Sequence, residues 1–369
     1  MMEIEEAQRL AQWVVWGGVI IGVAVGALSQ ATRFCTLGAI ADAHTMGNFV
    51  RLRMWVLAVA VAIFLTQSLV LAGLLNDQAS FYTSSRLLIA SHIVGGLLFG
   101  FGMTLASGCG SRMLIKIGEG SLKAVVVFLV MGLAALMSIR GATALLRSNT
   151  VDQAAILLPS PQDLPHLLSL EDDPSAGLRM ALTAAITVGL LLIALWRGEI
   201  LQRRSHWIGG IGIGLLVALG WALTGWFGYV PEHPETLQAA FLSTNSKSPE
   251  SLTFVGPLAF SLEYLLYTSD RSQAITFAIG TVIGLPIGAA ASALARGKFK
   301  LEGFQGAQDL RRHLIGAALM GVGGVTAMGC TFGHGLSGLS MLALGSLISI
   351  LAIGAGALLG LRWLSRDDQ

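Results

Sequence analysis

Residues 95–109 read GGLLFGFGMTLASGC, and residues 316–330 read GAALMGVGGVTAMGC. The two stretches align at an offset of 221 residues, which matches glycine with glycine at four positions and places Cys109 on Cys330. Each is an apolar helical run, rich in small residues, that stops at Gly-Cys. A helix that stops inside a membrane leaves polar backbone groups free, which is tolerated only where protein or a cavity satisfies them. Two matching breaks therefore predict a substrate site between two structural repeats.

The composition is that of a membrane protein. Of the 369 residues, 54% are hydrophobic and 12% are charged, and the mean hydropathy is +0.72, whereas a soluble domain carries about 25% charged residues. The net charge of +2 gives no reason to expect a nucleic-acid partner. The 3 cysteines form no CxxC pair, which argues against a zinc ribbon or a thioredoxin-like centre. The sequence predicts an all-α polytopic membrane protein.

Apolar runs of about 20 residues are long enough to cross the bilayer as helices. Nine such spans are expected, at residues 13–31, 53–75, 87–107, 121–146, 177–197, 207–229, 273–295, 312–329 and 339–364. Shorter apolar pieces predict four re-entrant helices, at residues 34–48, 109–118, 255–268 and 331–338. The polar insertions 147–176 and 230–253 are expected to be surface loops.

The distribution of basic residues predicts the orientation. Lysine and arginine concentrate in one set of alternating loops, at residues 33–53, 112–123, 197–204, 296–312 and 362–366. The positive-inside rule then places the N-terminus outside and the C-terminus in the cytoplasm. We expect a single membrane domain over 1–369 with a first repeat at 13–146, a connecting span at 177–197 and a second repeat at 207–364. Because their first spans run in opposite directions, the repeats are inverted.

The same offset pairs Cys35 with Gly256 and Asp42 with Glu263. The second repeat therefore keeps the break at this position but lacks its thiol. Ionisable groups at membrane depth are candidates for function. A solvated or helix-capping role at the interface is an equal alternative for Asp42 and Glu263.

Three thiols are the principal candidates for chemistry. Cys35, Cys109 and Cys330 each adjoin an interrupted helix. A thiol is a weak donor and a weak acceptor, so a series of three suits a soft, sulfur-containing ligand or a soft metal such as Cu(I). A single cysteine in a membrane helix would instead be a small buried hydrophobic residue.

The short segments after each break supply possible anion-binding groups. Gly110, Ser111 and Thr331 would follow Gly108 and Gly329 at helix N-termini, where free N–H groups favour an anion. A hydroxyl that caps its own helix is an equally reasonable interpretation.

Histidines are the remaining candidates. His334 lies one helical turn after Cys330. A packing or hydrogen-bonding role is favoured for it over metal ligation together with Cys330. His44, His92 and His313 are expected at the membrane interface and receive no assigned role.

These features resemble the YeeE/YedE family of sulfur-transport membrane proteins. The resemblance is carried by RFC at 33–35, ASGCGS at 106–111, LTFVGPL at 252–258 and MGCTFGHG at 328–335. It implies nine spans and four short helices in an hourglass of inverted repeats. It also implies uptake of thiosulfate, or a related sulfur anion, across the bacterial inner membrane. The substrate path would contain Cys35, Cys109, Cys330, Gly108, Gly110, Ser111, Gly256, Gly329, Thr331 and His334.

The resemblance further implies a transporter rather than an enzyme, without a cofactor or resident metal. A cytoplasmic TusA-like sulfur carrier protein is a candidate partner. Thiosulfate is a dianion with three hard oxygens and one soft terminal sulfur, so helix N-termini would hold the oxygens and neutral thiols would face the sulfur. From outside to inside, the expected order is Cys330, Cys109, Cys35.

Two alternatives belong to other classes. A membrane sulfurtransferase would retain the terminal sulfur as a cysteine persulfide, but it needs an activated thiolate and a base, and no lysine or histidine adjoins Cys109 in the sequence. A transporter of soft metal ions or of a selenium species would use the same thiols for another solute.

Overall fold

The computed structural model describes residues 4–169, 174–270 and 273–367, and these residues form an almost entirely helical protein. The α-helices are α1 Ile4–Thr32, α2 Thr36–Met46, α3 Val50–Leu71, α4 Ile89–Leu105, α5 Gly110–Gly118, α6 Leu122–Arg140, α7 Ala142–Asn149, α8 Leu164–Leu168, α9 Ala176–Leu195, α10 Arg204–Ala222, α11 Val255–Leu266, α12 Phe277–Ala295, α13 Ala307–Thr326 and α14 Leu344–Asp367.

Short turns and strands connect the helices. Turns of 3₁₀ helix cover Asp77–Ala79, Phe81–Thr83, Val151–Gln153 and Trp196–Gln202, and π-helical turns cover Leu223–Phe227 and Gly333–Gly338. Two antiparallel pairs of two-residue strands connect parts of the loops. Strand β1 Arg86–Leu87 pairs with β2 Ile156–Leu157, and β3 Tyr229–Val230 pairs with β4 Ala240–Phe241.

Eight helical segments in the described ranges are long and apolar enough to cross a membrane. They are Ile4–Met46, Val50–Leu71, Ile89–Gly118, Leu122–Arg140, Ala176–Gln202, Arg204–Phe227, Phe277–Ala295 and Leu344–Arg366. The ninth expected span, 312–329, corresponds to α13, which is helical but carries Asp309, Arg311 and Arg312 near its start. The prediction of an all-α polytopic membrane protein is confirmed.

Helices form at all four of the short apolar pieces. These are α2, α5, α11 and the segment 331–340, whose middle is the π-helical turn Gly333–Gly338. None is long enough to cross the bilayer alone, because a span needs about 20 residues. Each follows a longer helix or a loop at a sharp change of chain direction, which brings its N-terminus into the protein.

Helix contacts in the first half of the chain recur in the second half with the partners exchanged. Helix α1 packs on α12 while α3 packs on α10, and α4 packs on α14 while α6 packs on α13. At the centre, α4 and α13 pack on each other. The two halves are thus interleaved rather than set side by side.

Glycines permit the close approach of α4 and α13. A Cβ built on Gly95 would lie 2.3 Å from the backbone nitrogen of Ala327, and one on Gly316 would lie 2.7 Å from that of Ala106. These contacts are equivalent at the offset of 221 residues. Backbones approach this closely only where side chains are absent, so the small residues of both stretches are required for the central crossing.

The insertion 147–176 is more than the surface loop that its polarity indicated. Asp163 and His166 are buried and 2.7 Å apart, and Arg179 of α9 lies 2.7 Å from Asp77. Charged groups are buried only when they are paired. The described part of this loop is therefore anchored to the helices by an ionic network.

Candidate functional site

Three helices end in the same unusual backbone conformation, each two residues before a cysteine. Arg33, Ser107 and Met328 have φ angles of 56°, 57° and 67°. This left-handed region is uncommon for residues other than glycine. Residues held there cluster at functional sites when the surrounding structure enforces the conformation.

Backbone hydrogen bonds enforce these helix ends. The amide of Phe34 donates to Ser29 O at 3.0 Å, and the amides of Gly108 and Gly329 each donate to the carbonyl five residues earlier at 2.8 Å. This is the six-to-one bond of a Schellman helix end. The chain must turn sharply at each of the three positions, and the following cysteine begins a new helix.

The three thiols therefore lie at helix N-termini. Cys35 is the N-cap of α2, and its sulfur accepts a hydrogen bond from Gly38 N at 3.4 Å. The sulfur of Cys330 accepts one from Gly333 N at 3.5 Å. Cys109 is the N-cap of α5, and its sulfur lies 3.2 Å from Ser111 Oγ. Free N–H groups and the helix dipole favour an anion at each of these ends.

Cys109 lies close to both of the other cysteines. It interacts electrostatically with both Cys35 and Cys330. Cys109 and Cys330 are buried, whereas Cys35 is partly exposed. We refer to Cys35, Cys109 and Cys330 as the thiol series, with Cys35 and Cys330 as its ends.

A cavity of about 270 Å³ adjoins the Cys330 end of the series. Its wall includes Thr253, whose hydroxyl is 3.8 Å from the Cys330 sulfur, together with Tyr82, Glu250 and Gly329. Gly256 also lines it, and a Cβ built there would meet only Phe260, at 3.6 Å. The repeat partner of Cys35 therefore lies beside open space.

A polar cleft of about 550 Å³ lies at the N-terminal end of α10, near the Cys35 end of the series. Arg33 and Arg203 line it, together with Glu199 and the ion pair of Arg51 with Asp42. Arg112 and Lys116 of α5 interact electrostatically with Cys35. The cationic side chains make this end attractive to an anion.

Three buried phenylalanines connect the two end cysteines. The rings of Phe34 and Phe332 are 5.8 Å apart and those of Phe254 and Phe332 are 5.2 Å apart, in edge-to-face arrangements. Phe34 precedes Cys35, and Phe332 follows Cys330 by two residues. Because aromatic rings at these distances pack firmly, the breaks at Cys35 and Cys330 are held in one rigid unit.

His334 supports the break before Cys330. Its Nε2 lies 2.6 Å from the carbonyl oxygen of Ala327, which can only accept, so Nε2–H is the donor. Its Nδ1 then accepts from the Ser346 hydroxyl at 3.0 Å. With both nitrogens engaged, His334 positions the chain, whereas Thr331, whose buried hydroxyl has no partner in the described ranges, is available to a ligand.

The repeat-related acids are ion-paired. Asp42 accepts two hydrogen bonds from Arg51, at 2.6 and 2.9 Å, and Glu263 lies 2.9 Å from Arg140. Paired carboxylates at helix ends fix local geometry. Each of the two carboxylates therefore has a cationic partner.

Some residues at the site had no signal in the sequence. Tyr82 comes from a short turn before α4, and His92 was expected at the interface. His92 is instead buried, with its Nδ1 at 2.7 Å from Ser349 Oγ and its ring 5.5 Å from that of His334. Thr253 could have been found, because it belongs to the quoted stretch 252–258.

The fold defines a polytopic membrane protein in which three cysteines each begin a short helix, with a recess near Cys330 and another near Cys35. Residues 31–359 match the family described as sulphur transport, and the chain belongs to that family. The thiosulfate transporter TsuA of Spirochaeta thermophila is 26% identical over 338 residues, covering 90% of this chain and 94% of the relative. The thiosulfate transporter TsuA of Escherichia coli is 24% identical over 348 residues, covering 88% and 87%.

Proposed function

We propose that this protein takes up thiosulfate, or a closely related sulfur anion, by passing it along Cys330, Cys109 and Cys35. The proposal rests chiefly on one observation, that each thiol begins a helix directly after a left-handed helix end. Two relatives that span nearly the whole chain are named as thiosulfate transporters. Both lines of support concern the same residues, since the family match includes all three cysteines.

The chemistry of the series suits an anion with one soft end. At each of the three cysteines, helix N–H groups can hold oxygens of the anion, and an S–H group can face its terminal sulfur as a weak donor. Weak contacts are an advantage, because a conduit needs sites that release the ion as readily as they bind it. Ser111, Thr331 and the small residues Gly108 and Gly110 complete the path in this proposal.

The proposed arrangement is two inverted repeats, 13–146 and 207–364, joined by a span at 177–197. The exchanged helix contacts and the equivalent glycine contacts of α4 and α13 support it. The protein lies in the inner membrane with its N-terminus outside, which makes the Cys330 cavity the outer recess and the Cys35 cleft the inner one. Reporter fusions that place residues 198–206 on the outer face would contradict this topology.

A TusA-like sulfur carrier is the proposed partner at the inner cleft. The exposed part of the cleft presents Arg33 and Arg203, and such a surface attracts an acidic partner. Co-purification with a tagged carrier, compared between the parent and Arg203→Glu, tests this part of the proposal. Equal recovery from both would remove the cleft as the contact surface.

Uptake by cells that lack sulfate assimilation provides the main experiment. Thiosulfate labelled with ³⁵S at the terminal sulfur is compared with thiosulfate labelled at the central sulfur. A transporter brings both labels into the cell at equal rates. A sulfurtransferase retains the terminal label and leaves sulfite, with the central label, outside. Failure of both labels to enter above the level of cells without the gene would refute thiosulfate transport.

The site geometry disfavours the two alternatives. Cys109 faces a serine hydroxyl rather than a base, and an activated nucleophile needs a base or a lowered pKa. In the described ranges, the group whose atoms converge at metal-binding distance is Asp77, Asp163 and His166, which contains no cysteine. The thiols are thus arranged for successive contacts rather than for one soft-metal centre.

A further inference from the structure

The outer cavity contains a buried carboxyl group that has no ionic partner. Glu250 is 6% exposed and lines the cavity beside Thr253. Its Oε1 accepts a hydrogen bond from Ser246 N at 2.6 Å, while its Oε2 has no hydrogen-bond partner in the described ranges. An isolated buried carboxylate is costly, and such a group takes up a proton instead. Glu250 is therefore suited to be a neutral acid.

The position of Glu250 is fixed by its backbone. The hydroxyl of Thr224 donates to Glu250 O at 2.6 Å and accepts from Glu250 N at 3.0 Å. The amide nitrogen Nδ2 of Asn245, in the wall of the same cavity, also lacks a partner in the part of the chain that the structure describes. Two polar groups that could each donate a hydrogen bond thus share one recess.

The charged groups around this recess do not neutralise a carboxylate. The turn Leu223–Phe227 and α12 contain no charged residue. Arg140 of α6 pairs with Glu263 of α11, and Lys247 is exposed in the loop. Tyr82 lines the same cavity and interacts electrostatically with both Cys330 and Glu250. A tyrosine or a cysteine cannot supply a positive charge, so neither provides Glu250 with a cation.

Burial raises the pKa of Glu250 above its ordinary value, partly offset by the hydrogen bonds that its carboxyl group accepts from Ser246 and from the backbone N–H of Asn245. Glu250 therefore stays protonated to a higher pH than an exposed glutamate. A protonated carboxyl has one O–H donor, whereas a carboxylate only accepts. The neutral form can bind an oxygen of an anion, and the ionised form repels it.

We infer that Glu250, as a neutral carboxylic acid, and Asn245 form an anion-binding site in the outer cavity and donate hydrogen bonds to the oxygens of the substrate before it reaches Cys330. This inference rests on the proposed function. It makes uptake depend on the protonation of Glu250: uptake is full below its pKa and is lost as the pH rises through it. The proposed hydrogen bond to the substrate also accounts for Oε2 of Glu250, which has no hydrogen-bond partner in the described ranges.

Initial uptake of ³⁵S-thiosulfate into proteoliposomes, with equal pH on both sides, tests the site. In the parent, uptake at low substrate falls above the raised pKa, approaching roughly tenfold for each pH unit as the neutral fraction falls. Glu250→Gln keeps a neutral donor of the same shape, so its uptake stays level across this range. Glu235→Gln, which changes an exposed residue of the same outer loop, follows the parent.

Each outcome decides a separate point. A Glu250→Gln profile that falls with pH as the parent does refutes the role of Glu250. So does a loss of uptake at every pH in Glu250→Gln protein that melts like the parent. If the variant does not fold, infrared difference spectra of the parent decide, since a carboxylic acid band must titrate above the ordinary glutamate range. Absence of uptake by the parent at any pH refutes thiosulfate transport itself.

Discussion

Replacing Gly329 by alanine would place a methyl group against the ring of His334. A Cβ built on Gly329 lies 2.9 Å from Cδ2 and 3.0 Å from Nε2 of that ring. The ring has little freedom to move, because it is held by hydrogen bonds to Ala327 O at 2.6 Å and to Ser346 Oγ at 3.0 Å. The added methyl therefore disturbs the helix break that precedes Cys330.

The cost of Gly329→Ala follows from these contacts. Overpacking of a buried site costs about 1–3 kcal/mol, and weakening one buried hydrogen bond adds about 1 kcal/mol. We expect the free energy of unfolding to fall by about 2–4 kcal/mol, which lowers the melting temperature by several degrees. Because Cys330 is the next residue, we also expect thiosulfate uptake to fall at least roughly tenfold, equivalent to about 1.4 kcal/mol.

Gly256→Ala is the matched control, since its Cβ would make only an ordinary contact with Phe260 at 3.6 Å. Melting is followed in detergent with a thiol-reactive dye, which labels the buried Cys109 and Cys330 as the protein unfolds. Gly256→Ala should melt like the parent. If Gly329→Ala melts and transports like the parent as well, the positioning role of His334 is wrong.

Three further outcomes are expected. Cys109→Ser, at parental expression, should lower uptake at least roughly tenfold, and unchanged uptake would show that the thiol has no transport role. Among variants that retain one cysteine, Cys330 should react with an impermeant thiol reagent from outside before Cys35 does, and substrate should protect it; the reverse order would reverse the path. The Cβ of Gly100→Ala would lie against Ile353 O of α14, so this variant should lower the free energy of unfolding by about 1–3 kcal/mol. Gly354→Ala, which has open space around its Cβ, should not lower it. If both variants melt at the same temperature, the close packing of α4 and α14 is contradicted.

Structure could be predicted from the sequence where it depends only on residues that are neighbours in the chain. Long apolar runs must be helical in a membrane because every backbone polar group needs an internal partner, so the helices were predictable, including the short ones at 109–118 and 255–268. The breaks at Gly108 and Gly329 were predictable from Gly-Cys after an apolar run. The left-handed conformation of Ser107 and Met328 was not, because neither residue favours it.

Side-chain partners that are distant in the chain could not be predicted. The ion pairs of Asp42 with Arg51 and of Glu263 with Arg140 had no signal in the sequence. The burial of His92 could not be predicted, because its partners, Ser349 and Ala327, come from the other half of the chain.

The sequence by itself determined the class of protein, the helical segments and the candidate thiols, because hydrophobic runs, helix breaks and cysteines are properties of neighbouring residues. The tertiary structure alone decided that Cys109 lies close to both Cys35 and Cys330 and that Glu250 is buried without a cation. Both facts depend on which segments meet, as the glycine contacts of α4 and α13 show for residues more than two hundred positions apart. Side-chain burial and electrostatic surroundings arise only when such distant segments pack together.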